Sequence, residues 1–317
     1  MLEELILKSI LNNHLRNKLD IIKYRTCLKF RKFLLKKRDK EVKVRIKNIL
    51  LYMPFSHDLP IILKSYPFYS TNIERLSGYL KIKYEDPRAI DIGANIGDTA
   101  ISIYNSTNSP VLAIECDPNF YYYLEKNTKN FENIKIEKSF VGSNEILDGE
   151  VISNHGTSKL NLNKKNLKIK FENIDKILDR NRDFINTKFF KIDTDGYDLK
   201  IIMNSLNFLS ERKPVIFFEY DPNLIKDHSI VNIDIFKKLL QIGYDKALVY
   251  NNFGDYMISI ELNNQEILKD INNYFFGRNS KIYCDICVFH KNDNDIFNYI
   301  RESERNFFYK NRLVNKL

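Results

Sequence analysis

The sequence predicts an α/β fold: a mostly parallel sheet covered by helices, with an antiparallel end strand and an N-terminal helical extension. Two observations carry this. From Arg88 onward, short apolar runs alternate with stretches at helical spacing. "RAIDIG" precedes "DTAISIYN", "VLAIEC" precedes "NFYYYLEKNTKN", "KFFKID" precedes "YDLKIIMNSLNFLS", and "PVIFFEY" precedes "IDIFKKLLQIG". Such near-continuous apolar runs are strands buried on both faces, as in βαβ units. Further on, "YDKALVYNNFGDYMISIEL" reads as two strands around a turn at Asn252–Gly254, and "KIYCDICVFHK" as a last strand.

The first 48 residues read as helical and are dense in Lys and Arg. Residues 1–50 hold 15 Lys/Arg against 5 Asp/Glu, while the remaining 267 hold 35 against 36, so the net charge of +9 belongs to this arm. The arm reads first as a solvated helical face; the contacts it would also allow are an anionic membrane surface, a partner protein or a second copy of the chain. Pro54, Pro60 and Pro67 cut residues 49–84 into short pieces. The expected organisation is a basic helical extension and lead-in over 1–84, a cofactor-binding domain over 85–292 and a basic C-terminal helix over 293–317. Within the domain, the polar segment 144–171 reads as an excursion beside the site.

With 44% apolar, 29% charged and 13% aromatic residues the chain is globular. No apolar run approaches the length of a spanning helix. "MLEELILKSILNN" carries two early acids and lacks the small-residue cleavage site of a signal peptide. Four cysteines in a chain of this length form no disulfide framework. A cytoplasmic setting is expected, with the arm allowing peripheral association at the inner membrane face.

The chemistry centres on "AIDIGANIGDTAISIY", residues 89–104. A strand, a glycine turn and a helix let backbone approach a ligand beyond the carboxyl end of a strand. A dinucleotide enzyme uses G-x-G-x-x-G to seat a pyrophosphate on the helix N-terminus. Here Asn95 and Asp98 stand where the second and third glycines would, and Asp98 would repel phosphate. A cationic, phosphate-free donor such as S-adenosylmethionine fits better, favoured by a carboxylate at Asp91 or Asp98. Glu115 ends the second strand 22 residues after Gly93, where an acid accepts from both hydroxyls of an adenosine ribose.

In order and spacing, "AIDIGANIGDTAISI", "VLAIECDPNFYYYLEKN", "SFVG", "NHGTSKL", "FENIDKIL", "FFKIDTDGYDLKII" and "PVIFFEYDP" resemble the FkbM-type group of class I S-adenosylmethionine-dependent methyltransferases, over about residues 85–222. That resemblance implies a Rossmann-like sheet and an O-methyltransferase acting on a sugar hydroxyl, of a surface polysaccharide or a nucleotide-sugar precursor, or on a secondary-metabolite hydroxyl. It implies that Asp91, Gly93, Asn95 and Gly97 form the methionine-side loop, that Glu115 holds the ribose, and that Phe140, Val141 and Gly142 lie by the adenine. Asp193, Asp195 and Gly196 form the loop after the fourth strand, where many relatives carry Glu in place of Asp195. With Asp98 and Cys116, these complete the expected cofactor set.

Methyl transfer to a hydroxyl needs alignment and removal of a proton. Asp193 and Asp195 end one strand of the crevice; Glu219 and Asp221 end the next. In one reading an aspartate is the base or orients the acceptor. In the other, Asp195, Glu219 and Asp221 hold Mg²⁺. The alternatives to both are helix-capping acids. His155, in "SNHGTSKL", is a further candidate base, with His228 behind it. His14, His57 and His290 read as structural. "CDIC" with His290 lacks a fourth zinc ligand, and strand geometry sends Cys284 and Cys287 to opposite faces. A ribose 2′-O or other RNA methyltransferase is the rival function that the basic arm allows. Amino-directed base methylation lacks its Asn/Asp-Pro-Pro-Tyr/Phe motif, and a non-catalytic module is disfavoured by the intact turn. Nucleic acid is not the expected partner; a homo-oligomer is compatible with the arm.

Overall fold

The computed structural model describes residues 2–13, 17–161, 167–224, 234–278 and 281–313. It begins with helices α1 (Leu2–Asn12) and α2 (Lys18–Leu35), strands β1 (Glu41–Ile46) and β2 (Ile49–Pro54), and helices α3 (Leu59–Ser65) and α4 (Thr71–Lys83). Then come β3 (Ala89–Ile92), α5 (Asp98–Thr107), β4 (Val111–Glu115), α6 (Pro118–Thr128) and β5 (Ile134–Lys138). The polar excursion follows as β6 (Phe140–Val141), β7 (Ile146–Asn154), β8 (Thr157–Asn161) and β9 (Leu167–Glu172). The chain returns through α7 (Ile174–Asp179), β10 (Phe189–Ile192), α8 (Asp198–Asn204), α9 (Leu206–Arg212) and β11 (Val215–Tyr220). It closes with α10 (Asp234–Gln241), β12 (Tyr244–Asn251), β13 (Tyr256–Glu261), α11 (Gln265–Phe275), β14 (Cys284–His290) and α12 (Asn294–Phe308).

Eight strands form the central sheet in the order β13-β12-β14-β11-β10-β3-β4-β5. The five from β11 to β5 are parallel; β14 runs antiparallel to both its neighbours and β13 antiparallel to β12. The last strand in sequence therefore sits inside the sheet, while β13 is the antiparallel edge. After β5 the chain crosses back to β10, on the far side of β3, so the order reverses between β3 and β10. At such a switch point two strand ends diverge and leave a crevice.

Strand parity divides the core. Ala89, Val111, Phe189 and Phe217 face one layer, with α4, α5, α6 and α12; Ile90, Leu112, Phe190 and Phe218 face the other, with α7 to α11. Cys287 lies in the first layer and Cys284 in the second, both fully buried, as the alternation requires.

The N-terminal residues are not a loose arm. Leu7, Ile10, Val42, Val44 and Met53 join the first layer. Residues 41–46 are a strand where helical spacing is expected, because Val42 and Val44 are buried while Lys43 and Arg45 are exposed, a period of two. Asn127 of α6 pins β2 to the glycine turn, donating to the carbonyls of Tyr52 (2.9 Å) and Ile96 (2.8 Å). The closing helix is not itself basic: α12 carries Arg301 and Arg305 against Asp295, Glu302 and Glu304.

Helix α12 is tied to α4 by a two-pronged ion pair, Arg75 Nε and Nη2 each 2.7 Å from the Glu304 carboxylate, whose side chain has no exposed surface. Arg75→Ala leaves that carboxylate buried and uncompensated, with an expected loss of about 3–5 kcal/mol in urea titration. The double replacement Arg75→Met, Glu304→Leu should recover most of it.

Candidate active site

The crevice at the switch point holds about 680 Å³ of empty space, open solvent at its mouth included. Its floor is Ile92 at the end of β3 with Gly93 and Asn95 beyond it, Glu115 at the end of β4 with Cys116 beyond it, and Asp193 to Asp195 after β10. The excursion supplies the remaining wall through Ser139, Phe140, Val141, Val151, Ser158, Lys159, Leu160 and Phe171, with Tyr197 and Ile201 from the start of α8. Phe171 stacks on Tyr197 at 5.9 Å and meets Phe140 edge-on, giving one apolar aromatic side.

Gly93 is required by contact and by conformation. Its φ is +77°, and a Cβ there would lie 1.8 Å from the Asp193 carbonyl oxygen. The glycine turn and the loop after β10 are thus pressed together. Gly97 begins α5 at φ +90°, where a Cβ would strike Leu124 of α6; it serves packing and does not line the crevice. Gly142 likewise packs, its Cα facing the Phe171 ring.

Glu115 is buried at the crevice floor. Its Oε1 accepts from the backbone N–H of Cys116 (2.8 Å) and Asp117 (2.7 Å), and its Oε2 from Asn95 (2.8 Å). Burial raises its pKa, and these amide donors oppose the rise. Three of about four lone-pair positions are used. The carboxylate is thereby held rigid at the end of β4.

Asp91 does not reach the crevice. Strand parity turns it toward α5, where Lys191 Nζ, its register partner on β10, lies 2.7 Å from Oδ1 and Thr99 donates to Oδ2 (2.7 Å). Lys191 is as buried as Asp91. Burial disfavours its charge, but Asp91 and Asp193 outweigh that and raise its pKa. Asp98 also faces away, into a small space lined by Leu51, Leu63 and Tyr69. Burial lifts its pKa to about 6, against the pull of Lys191.

Asp193 and Asp195 both line the crevice. Asp193 is 46% exposed at its side chain, with Oδ2 3.4 Å from Lys191 Nζ. Asp195 and Gly196 adopt left-handed backbone, φ +51° and +105°, a tight turn that Asp tolerates better than bulkier residues. The Asp195 Oδ2 accepts from Ser158 N–H on the excursion hairpin (3.2 Å). Burial, then the Asp193 charge, pushes its pKa up to about 6.

The proposed magnesium set does not converge. Glu219 and Asp221 do not line the crevice; Asp221 Oδ1 is taken by Asn223 N–H and Nδ2. Among the described residues no group of three or more His, Cys, Asp or Glu has the spacing to hold a metal ion. Burial, followed by Asp193 and Asp198, raises Glu219 well above the carboxylate range.

His155 does not line the crevice either. It is exposed, at φ +54°, with Nδ1 3.7 Å from Asp58 Oδ2. His228 lies outside the described residues. Among the described residues, His57, which reads as structural in the sequence, reaches the glycine turn through Asn95. Its Nδ1 accepts from Leu59 N–H (3.2 Å), which puts the proton on Nε2, 3.1 Å from the Asn95 Oδ1. Burial lowers its pKa, against the Asn95 contact. Asn95 Nδ2 in turn donates to Gly156 O (2.8 Å) at the hairpin turn. Asp117 holds the same hairpin, accepting from Ser158 Oγ (2.6 Å) and from Ser153 Oγ. The aromatic run 120–124 on α6 is scaffold, with Phe120 and Leu124 buried and none of it lining the crevice.

Among the missed lining residues, Ile92, Ile114, Thr194, Tyr197 and Ile201 come from strand ends and the start of α8, and Val151, Ser158, Lys159, Leu160 and Phe171 from the excursion. "LKIKF" at 167–171 alternates apolar with Lys, so a signal for Phe171 was present; nothing local said that the hairpin folds over the crevice.

Residues 91–245 match the family model described as the methyltransferase FkbM domain. No curated protein matches the chain. Among solved structures it is similar to a methyltransferase FkbM from Methylobacillus flagellatus KT (18% identity, TM-score 0.36), over 52% of this chain; the chain spans 40% of the length of that protein. It is similar to a precorrin-6y C5,15-methyltransferase from Geobacter metallireducens (15% identity, 68% of this chain, 87% of that one, TM-score 0.36). It is also similar to M. jannaschii TYW2 in complex with AdoMet (13% identity, 80% and 87%, TM-score 0.39).

Asp98, Asp195 and Asp198 titrate at about 6, 6 and 7 when folded, against 3.8 for free Asp. The folded state therefore binds the extra protons between pH 4 and 7, and the contribution of these groups to stability falls as pH rises through that window. Asp198→Asn should flatten the decline in thermal midpoint between pH 5 and 8 relative to the parent chain.

Proposed function

Residues 91–245 belong to the methyltransferase FkbM domain family, and from that premise we propose that the protein is an S-adenosylmethionine-dependent O-methyltransferase acting on a sugar hydroxyl. The observation that carries the reading is the charge and shape of the crevice. Among the described residues, Glu115, Asp193 and Asp195 line it against one cation, Lys159. Carboxylates in excess favour a cationic donor and oppose a pyrophosphate. The glycine turn at Gly93, the Glu115 carboxylate at the floor and the Phe140–Phe171–Tyr197 wall fit a ribose and an adenine. Bound there, S-adenosylmethionine supplies a methyl group on a positively charged sulfur.

The chain's own residues then orient and deprotonate. Glu115 accepts from a ribose hydroxyl while Cys116 and Asp117 amides keep it in place. Asp195 is the base in this reading. Its pKa near 6 leaves it ionised at neutral pH yet basic enough to take a proton as the hydroxyl reacts. Asp193, beside it at the mouth, orients the acceptor. The hairpin β7–β8, fastened by Asn95, Asp117 and Asp195, covers the crevice and limits water. A saccharide acceptor is supported by the family resemblance and by the polar, acid-lined mouth, since sugar hydroxyls donate readily to carboxylates. Magnesium has no convergent ligand set in support and enters no step.

Incubating the protein with S-adenosylmethionine and a panel of sugar nucleotides, and scanning by mass spectrometry for a gain of one methylene mass, tests the reading. Methylation of no saccharide, alongside methylation of RNA ribose, would replace it with the rival. With an acceptor in hand, kcat/KM should rise with pH and level off above about 6. Asp195→Asn should lower turnover by about 10²-fold or more and erase that pH limb, with donor affinity by calorimetry near the parent value.

A further inference from the structure

Helix α2 carries apolar side chains on two faces. Tyr24, Leu28 and Leu35 pack against the first core layer. On the same side, buried Arg31 donates to the carbonyls of Phe55, Ser56 and His57 and pairs with Asp58 at 2.8 Å. This face fixes the helix to the body of the protein.

The outward face bears Leu19, Ile22, Thr26, Phe30 and Phe33, successive positions three or four residues apart and hence one stripe. The four apolar members are 68%, 59%, 41% and 52% exposed. Thr26 spends its hydroxyl on the Ile22 carbonyl (2.8 Å), which leaves its methyl as the outward group. The rings of Phe30 and Phe33 stack at 6.4 Å, with Lys37 Nζ 4.9 Å from the Phe33 ring. Along one flank run Lys18, Arg25, Lys29, Lys32 and Lys36, all exposed. None has an ion-pair partner among the described residues.

We infer that this face of α2 docks on an anionic lipid bilayer, the apolar stripe entering the headgroup region and the basic flank meeting lipid phosphates. A bilayer interface satisfies both halves of the surface, apolar depth beside negative charge. A second copy related by two-fold symmetry would cover the apolar stripe but bring no negative charge from its own α2 face to the basic flank. Nucleic acid would satisfy the Lys and Arg but offers little to Leu19 and Ile22. The inference does not depend on the acceptor being a sugar.

The test is sedimentation of the full chain with vesicles of phosphatidylcholine alone and with added phosphatidylglycerol. Co-sedimentation is expected only with the anionic vesicles and should be reversed by high salt. Phe30→Ser with Phe33→Ser, and separately Lys29→Glu with Lys32→Glu, should each weaken it about tenfold or more. The thermal midpoint should not move, because these side chains are exposed. Absence of binding to anionic vesicles, or equal binding by both variants, overturns the inference. So does a dimer or an RNA complex that the same substitutions abolish while vesicle binding is nil.

Discussion

The ion pair between Lys191 and Asp91 joins the two central strands directly beneath the crevice. Both groups are withdrawn from water, and each is tolerable only because the other is present. Thr99 satisfies a second oxygen of the carboxylate, and Asp193 gives the ammonium a second negative neighbour. The pair fixes β3 and β10 in register, Asp91 opposite Lys191, one residue before the last paired positions, Ile92 and Ile192. Everything that forms the floor depends on that register. Gly93 meets the Asp193 carbonyl because the strands end level, and the tight turn at Asp195 and Gly196 then lifts one carboxylate over the opening.

Around this cation the acids are too many to be ionised together. Asp98, Asp195, Asp198, Glu219 and Asp285 all have raised pKa values, from burial first and then from the charge of Asp193 or, for Asp98, of Asp91 against the pull of Lys191. Lys191 offsets part of the charge.

The N-terminal segment is coupled to this floor through a chain of contacts. Arg31 of α2 anchors the carbonyls of residues 55–57, His57 bonds Asn95, and Asn95 bonds both Glu115 and the hairpin turn at Gly156. The segment's inner face thus backs the glycine turn, while its outer face is left free to meet something else. Among the described residues no helix is long and apolar enough to cross a membrane.

The alternation of apolar runs with helical spacing determined the α/β class, because a strand buried on both faces has no other way to be written. The glycine turn, Glu115 and the Asp193–Asp195 loop were legible for a related reason: backbone close to a ligand needs small residues, and strand ends are where loops begin. Strand parity could have placed Asp91 from its own strand, as it placed Cys284 and Cys287. That Lys191 would neutralise it required knowing that β10 lies beside β3, a pairing between residues 100 apart. The same holds for His57, whose role comes from a contact with Asn95 and not from its own neighbours in sequence, and for the hairpin that roofs the crevice. Local pattern fixes which face a side chain takes; only the packed chain decides what waits on that face.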